Sequence, residues 1–163
     1  MESKAVSNTG PILHLSEIDS TNCLNIFSRI LIPKEVENEL VKNKIPIPRK
    51  VKVAALNSKA KDNVKILTYQ YNLDLGESEA ISLALQEKSD YFLTDDLEAR
   101  QIAKKYNIEV HGTIGIILRS FREKILDKKT AIEKVRQLKA DSSLFITQDL
   151  IGEIILSIND FRK

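Results

Sequence analysis

The stretch Tyr91-Phe92-Leu93-Thr94-Asp95-Asp96-Leu97-Glu98-Ala99-Arg100 decides the fold. Its first part, Tyr91-Phe92-Leu93, is a continuous apolar run, as a strand buried on both faces of a parallel sheet requires. Thr94-Asp95-Asp96 ends that run, and a helix is predicted from Leu97 to Tyr106, with Asp95 or Asp96 as its cap. Downstream, Ile108-Glu109-Val110 reads as another short strand. Helices are predicted at 113–122, 128–139 and 147–158, capped by Thr113, Asp127 and Thr147. Upstream, Gly76 precedes a helix over Glu77–Lys88 that places Ala80, Ile81, Ala84 and Leu85 on one face.

Further toward the N-terminus the same alternation holds. Lys4-Ala5-Val6-Ser7-Asn8 is strand-like and stops at Thr9-Gly10-Pro11, where Pro11 suits the first turn of a helix. A second helix is expected over Ser20–Phe27, capped by Ser20 or Thr21. Ile30-Leu31-Ile32 is a short apolar strand, and Pro33 opens a helix through Val41. Between 43 and 63 no clean period emerges, and Ile45-Pro46-Ile47-Pro48 forbids a regular helix. Val64-Lys65-Ile66-Leu67 reads as a strand. Short strands alternating with helices of about ten residues indicate an α/β fold. The expected architecture is a three-layer α/β/α sandwich with a parallel sheet of four or five strands. It forms one domain over 1–163, with residues 123–163 as C-terminal helices packed on it.

Composition narrows the class. With 25 Lys and Arg against 23 Asp and Glu, the net charge of +2 selects no partner. The single cysteine, Cys23, cannot form an internal disulfide, and its apolar neighbours mark it as a core residue. No stretch approaches a membrane span or a secretory leader, so a cytoplasmic location with no membrane partner is expected.

Chemistry should collect at the carboxyl ends of the strands. The first strand ends at Ser7-Asn8-Thr9 and the Tyr91 strand at Thr94-Asp95-Asp96. Glu77 is in phase with Ala80, Ile81 and Ala84 and so faces the sheet, whereas Glu79 points sideways with Leu83 and Gln86. Glu39 lies near Val36 along a buried seam. Carboxylates gathered at one mouth repel each other unless a cation neutralises them. Oxygen ligands with no histidine pair favour Mg²⁺ or Mn²⁺ over Zn²⁺. Such an ion lowers the pKa of a bound water and stabilises phosphoryl charge. Each acid also has a plainer use: Asp95 or Asp96 as a cap, Glu77 as complement to a helix N-terminus, Glu39 as a solvated side chain.

Taken in order, four segments resemble the PIN domain: Val6-Ser7-Asn8-Thr9-Gly10-Pro11-Ile12, Pro33-Lys34-Glu35-Val36-Glu37-Asn38-Glu39-Leu40, Leu75-Gly76-Glu77-Ser78-Glu79-Ala80-Ile81 and Leu93-Thr94-Asp95-Asp96-Leu97-Glu98-Ala99-Arg100. More narrowly, they resemble a prokaryotic PIN-like branch of unknown function, which Val110-His111-Gly112-Thr113-Ile114-Gly115 also matches. The resemblance implies a ribonuclease with a Mg²⁺ or Mn²⁺ site. Carried over, its site residues are Asn8, Glu39, Glu77 and Asp96, with Asp95 and Glu79 as near alternatives. It also implies an RNA substrate and, by analogy with toxins among the relatives, an antitoxin partner. The departure is Asn8, where the family usually has aspartate. An amide is a neutral ligand, and it supports the alternative of a catalytically silent RNA- or protein-binding module.

Several other features compete for attention. His14 sits in an apolar helical run and reads as a satisfied buried or boundary histidine. His111 ends a strand and reads as a turn or capping residue. A basic segment spans Lys42 to Lys65 with Asp62 as its one acid. From it Lys44, Arg49, Lys50 and Lys52 are the candidate RNA contacts, joined by the Thr113 hydroxyl. Tyr69 and Tyr71 could stack on bases, but packing in a strand is the expected use. The stripe Leu150, Ile151, Ile154, Ile155 and Ile158 either packs on its own domain or serves a homodimer.

Overall fold

A computed structural model describes residues 2–162; the two ends of the expected domain, residues 1 and 163, lie outside them. Five parallel strands, β1 (Lys4–Ser7), β2 (Arg29–Ile32), β3 (Val51–Val53), β4 (Tyr91–Leu93) and β5 (Glu109–His111), form one sheet in the order β3-β2-β1-β4-β5. The helices are α1 (Thr9–Glu17), α2 (Lys34–Lys42), α3 (Ser58–Tyr71), α4 (Leu75–Gln86), α5 (Leu97–Lys105), α6 (Thr113–Arg122), α7 (Lys128–Asp141) and α8 (Gln148–Asp160), with a short 3-10 helix over Thr21–Ile26. Helix α4 packs on β1 and β4 and against α2, α3 and α5. On the other side, α6 packs on β5, α1, the 3-10 helix and α7. The three-layer α/β/α sandwich is the expected one.

The chain builds outward from β1 in one direction, through β2 to β3, and then returns to add β4 and β5 on the other side. The reversal falls between β1 and β4, so their carboxyl ends diverge into a crevice. Ser7 pairs with Leu93 across the two strands, and the Asn8 amide donates to the Leu93 carbonyl at 2.8 Å. Asn8 and Thr94 therefore sit level at the lip of that crevice.

Two elements differ from expectation. Val64-Lys65-Ile66-Leu67 is not a strand but the middle of α3, capped by Asn57, whose side chain accepts from the Ala60 amide. The helical face is carried by Ala60 and Leu67, seven residues apart and both buried. The intervening lysines hide that period from a short-window reading. Tyr69 is accordingly not in a strand but 94% exposed on α3, and Tyr71 lies beneath the Lys105 ammonium. The missed edge strand β3 buries only Val51, too little to show as an apolar run.

Cap positions were mostly legible. Asp127 and Thr147 cap α7 and α8 with their side chains. Helix α6 instead begins after Gly112, with Thr113 as its first residue, and Ser20 makes no side-chain cap bond. In α8, Ile151, Ile154 and Ile158 are buried within the chain's own core, so most of that apolar stripe is consumed inside the fold. Cys23 is fully buried, and burial pushes its thiol pKa up. Among the described residues no helix is long and apolar enough to cross a membrane.

The helical assignment of α3 has a direct test in urea unfolding midpoints. Leu67→Ala should cost about 2–5 kcal/mol. Ile66→Ala, one residue away on the exposed face, should stay within about 0.5 kcal/mol of the parent.

Candidate functional site

At the β1–β4 crevice lies a cavity of about 330 Å³ lined by Asn8, Thr9, Glu39, Glu77, Asp96 and Asp95 among others. The structure thus brings Asn8, Glu39, Glu77 and Asp96 together. Each arrives by a local device. Asn8 is the N-cap of α1; its Oδ1 accepts from the Thr9 amide at 2.9 Å and its Nδ2 donates to Thr94 Oγ1 at 3.3 Å. The same Thr94 oxygen accepts from the Asp96 amide at 3.1 Å, so one hydroxyl ties the ends of both strands.

Asp96 caps α5, its Oδ2 accepting from the Ala99 amide at 2.8 Å. Glu39 reaches from α2, where Thr9 Oγ1 donates to its carboxylate. Gly76 makes that reach possible, because a Cβ there would run into the Glu39 carboxylate. Glu77 belongs to a capping box: Asp74 Oδ1 accepts from the Glu77 amide, and Glu77 Oε2 accepts from the Asp74 amide.

Asp95 and Glu79 are placed differently. Asp95 Oδ1 accepts from the Thr113 amide at 2.7 Å, and its Oδ2 accepts from Thr113 Oγ1 and His14 Nδ1, both at 2.6 Å. Burial works against this charge, but the donors from His14 and Thr113 outweigh it and hold the carboxyl below its ordinary pKa. Asp95 lines the cavity, yet its oxygens are committed to holding α1 and α6. Glu79 accepts from the Glu35 amide at the start of α2 and does not line the cavity.

The acids in the cavity destabilise one another. Burial, followed by the charges of Asp74 and Asp96, raises the Glu77 pKa from 4.5 to about 7. Burial also raises Glu39, and the Thr9 hydrogen bond only partly opposes this while Asp74, Glu35 and Glu79 add to it. No lysine or arginine lines the cavity, and its one histidine, His14, is engaged by Asp95.

The donor set is oxygen only, as a hard divalent ion prefers. Among the described residues no three His, Cys, Asp or Glu side chains are close enough to enclose a metal. That arrangement suits an ion which keeps most of its waters and takes one or two carboxylates directly, the habit of Mg²⁺. It does not suit a closed zinc site.

The basic candidates do not reach this cavity. Arg49 and Lys50 precede Val51 at the amino end of β3, the opposite edge of the sheet from Asn8. Lys52 lies within that edge strand, and Lys44 sits in a left-handed turn after α2. Thr113 is fully buried, and its hydroxyl is spent on Asp95. His14 is the satisfied buried histidine expected. His111 is neither turn nor cap: it lies in β5 and stacks on Tyr91 with ring centroids 4.9 Å apart.

Other cavity residues had gone unrecognised. Asp74 stands three residues before Glu77, a spacing that signals a capping box. Thr9 and Thr94 carry no such signal. Nor do Ser143, Leu144 and Phe145, which reach the cavity from the loop between α7 and α8.

With this geometry in hand, the comparisons with known proteins are informative. A family model described as a PIN domain matches residues 4–160. A solved structure of a PilT N-terminus domain protein from the hyperthermophilic archaeon Sulfolobus solfataricus P2 superposes with a TM-score of 0.53 at 20% identity. It covers 72% of this chain and 92% of its own. No curated protein matches.

Two measurements test this electrostatic account. The metal-free protein should lose stability as pH rises from about 4.5 through about 7, because folded Glu77 keeps its proton over a range where the unfolded chain has released it. Glu77→Gln should flatten that loss and raise Tm at pH 8 by roughly 2–4 °C, about 1 kcal/mol after allowance for solvent screening. At pH 4 the two proteins should melt together. Separately, Gly112→Ala drives a Cβ into the Arg100 guanidinium, the Asp95 carboxylate and the Thr94 carbonyl. It should lower the urea midpoint by an amount equivalent to about 1–3 kcal/mol.

Proposed function

Because the chain belongs to the PIN-domain family, we propose that the β1–β4 cavity hydrolyses RNA phosphodiesters with a bound Mg²⁺ or Mn²⁺. The observation that carries this reading is the uncompensated acid ring. Glu39 and Glu77 are held in a partly buried cleft where their pKa values rise and no lysine or arginine lines the wall. Such a cleft costs stability while it is empty of cations, and a bound cation would offset that cost.

Of Glu39, Glu77 and Asp96, one or two would hold the ion directly through carboxylate oxygens and the remainder through its waters. When bound, it supplies Lewis-acid charge to the phosphoryl oxygens and acidifies a coordinated water. Glu77, with a pKa near neutrality, exchanges its proton as the cleft fills. Asn8 keeps α1 and β4 in register and presents a neutral amide at the lip. Asp95 is a positioning residue, holding the β4 end so that Asp96 faces the cleft. A cytoplasmic toxin paired with an antitoxin is the biological setting this activity fits.

A second reading has one observation in its favour. Both polar groups of the Asn8 amide already serve as cap and clamp, as in a module that binds RNA without cutting it. Hydrolysis of labelled single-stranded RNA in Mn²⁺ separates the two readings. Aspartate caps a helix as well as asparagine does, so Asn8→Asp should fold. It should tighten metal binding by about 1–3 kcal/mol, roughly ten- to hundredfold, and accelerate cleavage. Adding Asp96→Asn should abolish whatever activity appears. Absence of cleavage by both the parent and Asn8→Asp, together with no metal binding on titration, would overturn the hydrolase.

A further inference from the structure

Phe145 is 88% exposed, although it belongs to a loop that is firmly held. Ser143 donates its amide and hydroxyl to the Glu17 carboxylate at 3.0 and 2.8 Å. Leu144 donates its amide to Ser142 Oγ. The Ile146 side chain is buried, its carbonyl accepts from Lys139 Nζ, and Thr147 caps α8. With both flanks anchored, the display of this one aromatic ring is a property of the loop's geometry.

The ring stands on a divide. On one side it lines the acidic cavity with Asn8, Glu39, Glu77 and Asp96. On the other it lines a second cleft, also about 330 Å³, with Arg100, Gly112, Ile114, Leu118 and Leu144. Arg100 brings a positive charge to that cleft, its Nε held on the Thr94 carbonyl at 3.3 Å. An acid cleft for a cation, an exposed aromatic face and a mixed polar and apolar cleft follow one another along a single rim; the last holds the Arg100 guanidinium and the Asp95 carboxylate, whose oxygens are engaged by His14 and Thr113. A single nucleic-acid strand has that alternation of phosphate and flat base.

We propose that Phe145 is a nucleobase-stacking platform, and that Arg100 takes the next phosphate of a single strand whose neighbouring phosphate lies over the acidic cavity. The proposal rests on the hydrolase reading for the direction of the strand, and it names residues that set its register. Base–aromatic stacking tolerates any base, so the platform fixes where a strand lies and leaves its sequence open.

The test is fluorescence anisotropy with the full chain and a labelled RNA of about ten nucleotides, with Ca²⁺ in place of Mn²⁺ to fill the acidic cleft and the RNA checked intact on a gel after each titration. Phe145→Ala should weaken binding roughly five- to hundredfold. Phe145→Trp should retain it, and Phe145→Leu should fall with alanine, because leucine keeps the apolar surface but lacks the π-face. One abasic position in the RNA should weaken the parent and leave Phe145→Ala unaffected, which a merely structural role would not produce. Arg100→Gln should reduce the salt dependence.

Equal affinity of Phe145→Ala and the parent overturns the platform, as does full binding by Phe145→Leu. So does a self-association constant that shifts with Phe145→Ala in sedimentation, which would make the ring a contact between copies. Mn²⁺-dependent cleavage with no Phe145 dependence sinks this inference and leaves the hydrolase intact. Phe145-dependent binding without cleavage does the reverse.

Discussion

A partly buried carboxylate, Asp95, holds the carboxyl edge of the sheet together. It accepts from His14 on α1 and from the amide and hydroxyl of Thr113 at the start of α6. Helix termini leave amides without intrahelical partners, and an anion placed there is favoured by both the hydrogen bond and the dipole. Three charge-assisted bonds offset the burial of the charge and hold the Asp95 carboxyl below its ordinary pKa, whereas Glu39 and Glu77 are raised. Gly112 is glycine because Arg100, Asp95 and the Thr94 carbonyl leave no room for a Cβ. Two adjacent aspartates are thus given opposite duties: one braces the fold, and the next faces the cleft.

Around that brace the molecule accepts a local cost. Glu39, Glu77 and Asp96 come from three different helices, and each is tied in place by a cap, a capping box or a threonine hydroxyl. Such bonds orient carboxylates without neutralising them. The repulsion that remains is small beside the burial of Val6, Phe92 and Leu93 in the sheet and of Ile81 on α4, which is why the fold can carry an acid ring at its switch point.

The C-terminal helices complete the surroundings of the cleft. Helix α7 packs on α6, α8 packs on α7, and the turn between them returns to the sheet edge through the Ser143–Glu17 contacts. Residues more than a hundred positions from Asn8 in sequence therefore form one wall of the cavity that Asn8 opens.

The sequence by itself determined the class of fold and, through its resemblance to a family, which acids meet at the strand ends. Short apolar runs at Ala5-Val6, Ile30-Leu31-Ile32 and Tyr91-Phe92-Leu93, each bounded by turn signals, read as buried strands, and the helical faces between them imply parallel connections. Glu77, in phase with Ala80 and Ile81, had to face the sheet. These signals are local, because periodicity is a property of neighbouring residues. Tertiary structure alone decided the rest. It turned Val64–Leu67 into helix, since α3 packs on α4 and Leu67 joins the core rather than a strand partner. Arg49 and Lys50 went to the far edge of the sheet, although they lie between Glu39 and Glu77 in sequence. Asp95 was separated from Asp96 by partners on α1 and α6, and Phe145 was brought to the cleft. Each of these outcomes depends on which distant groups meet across the fold, and no period along the chain encodes that meeting.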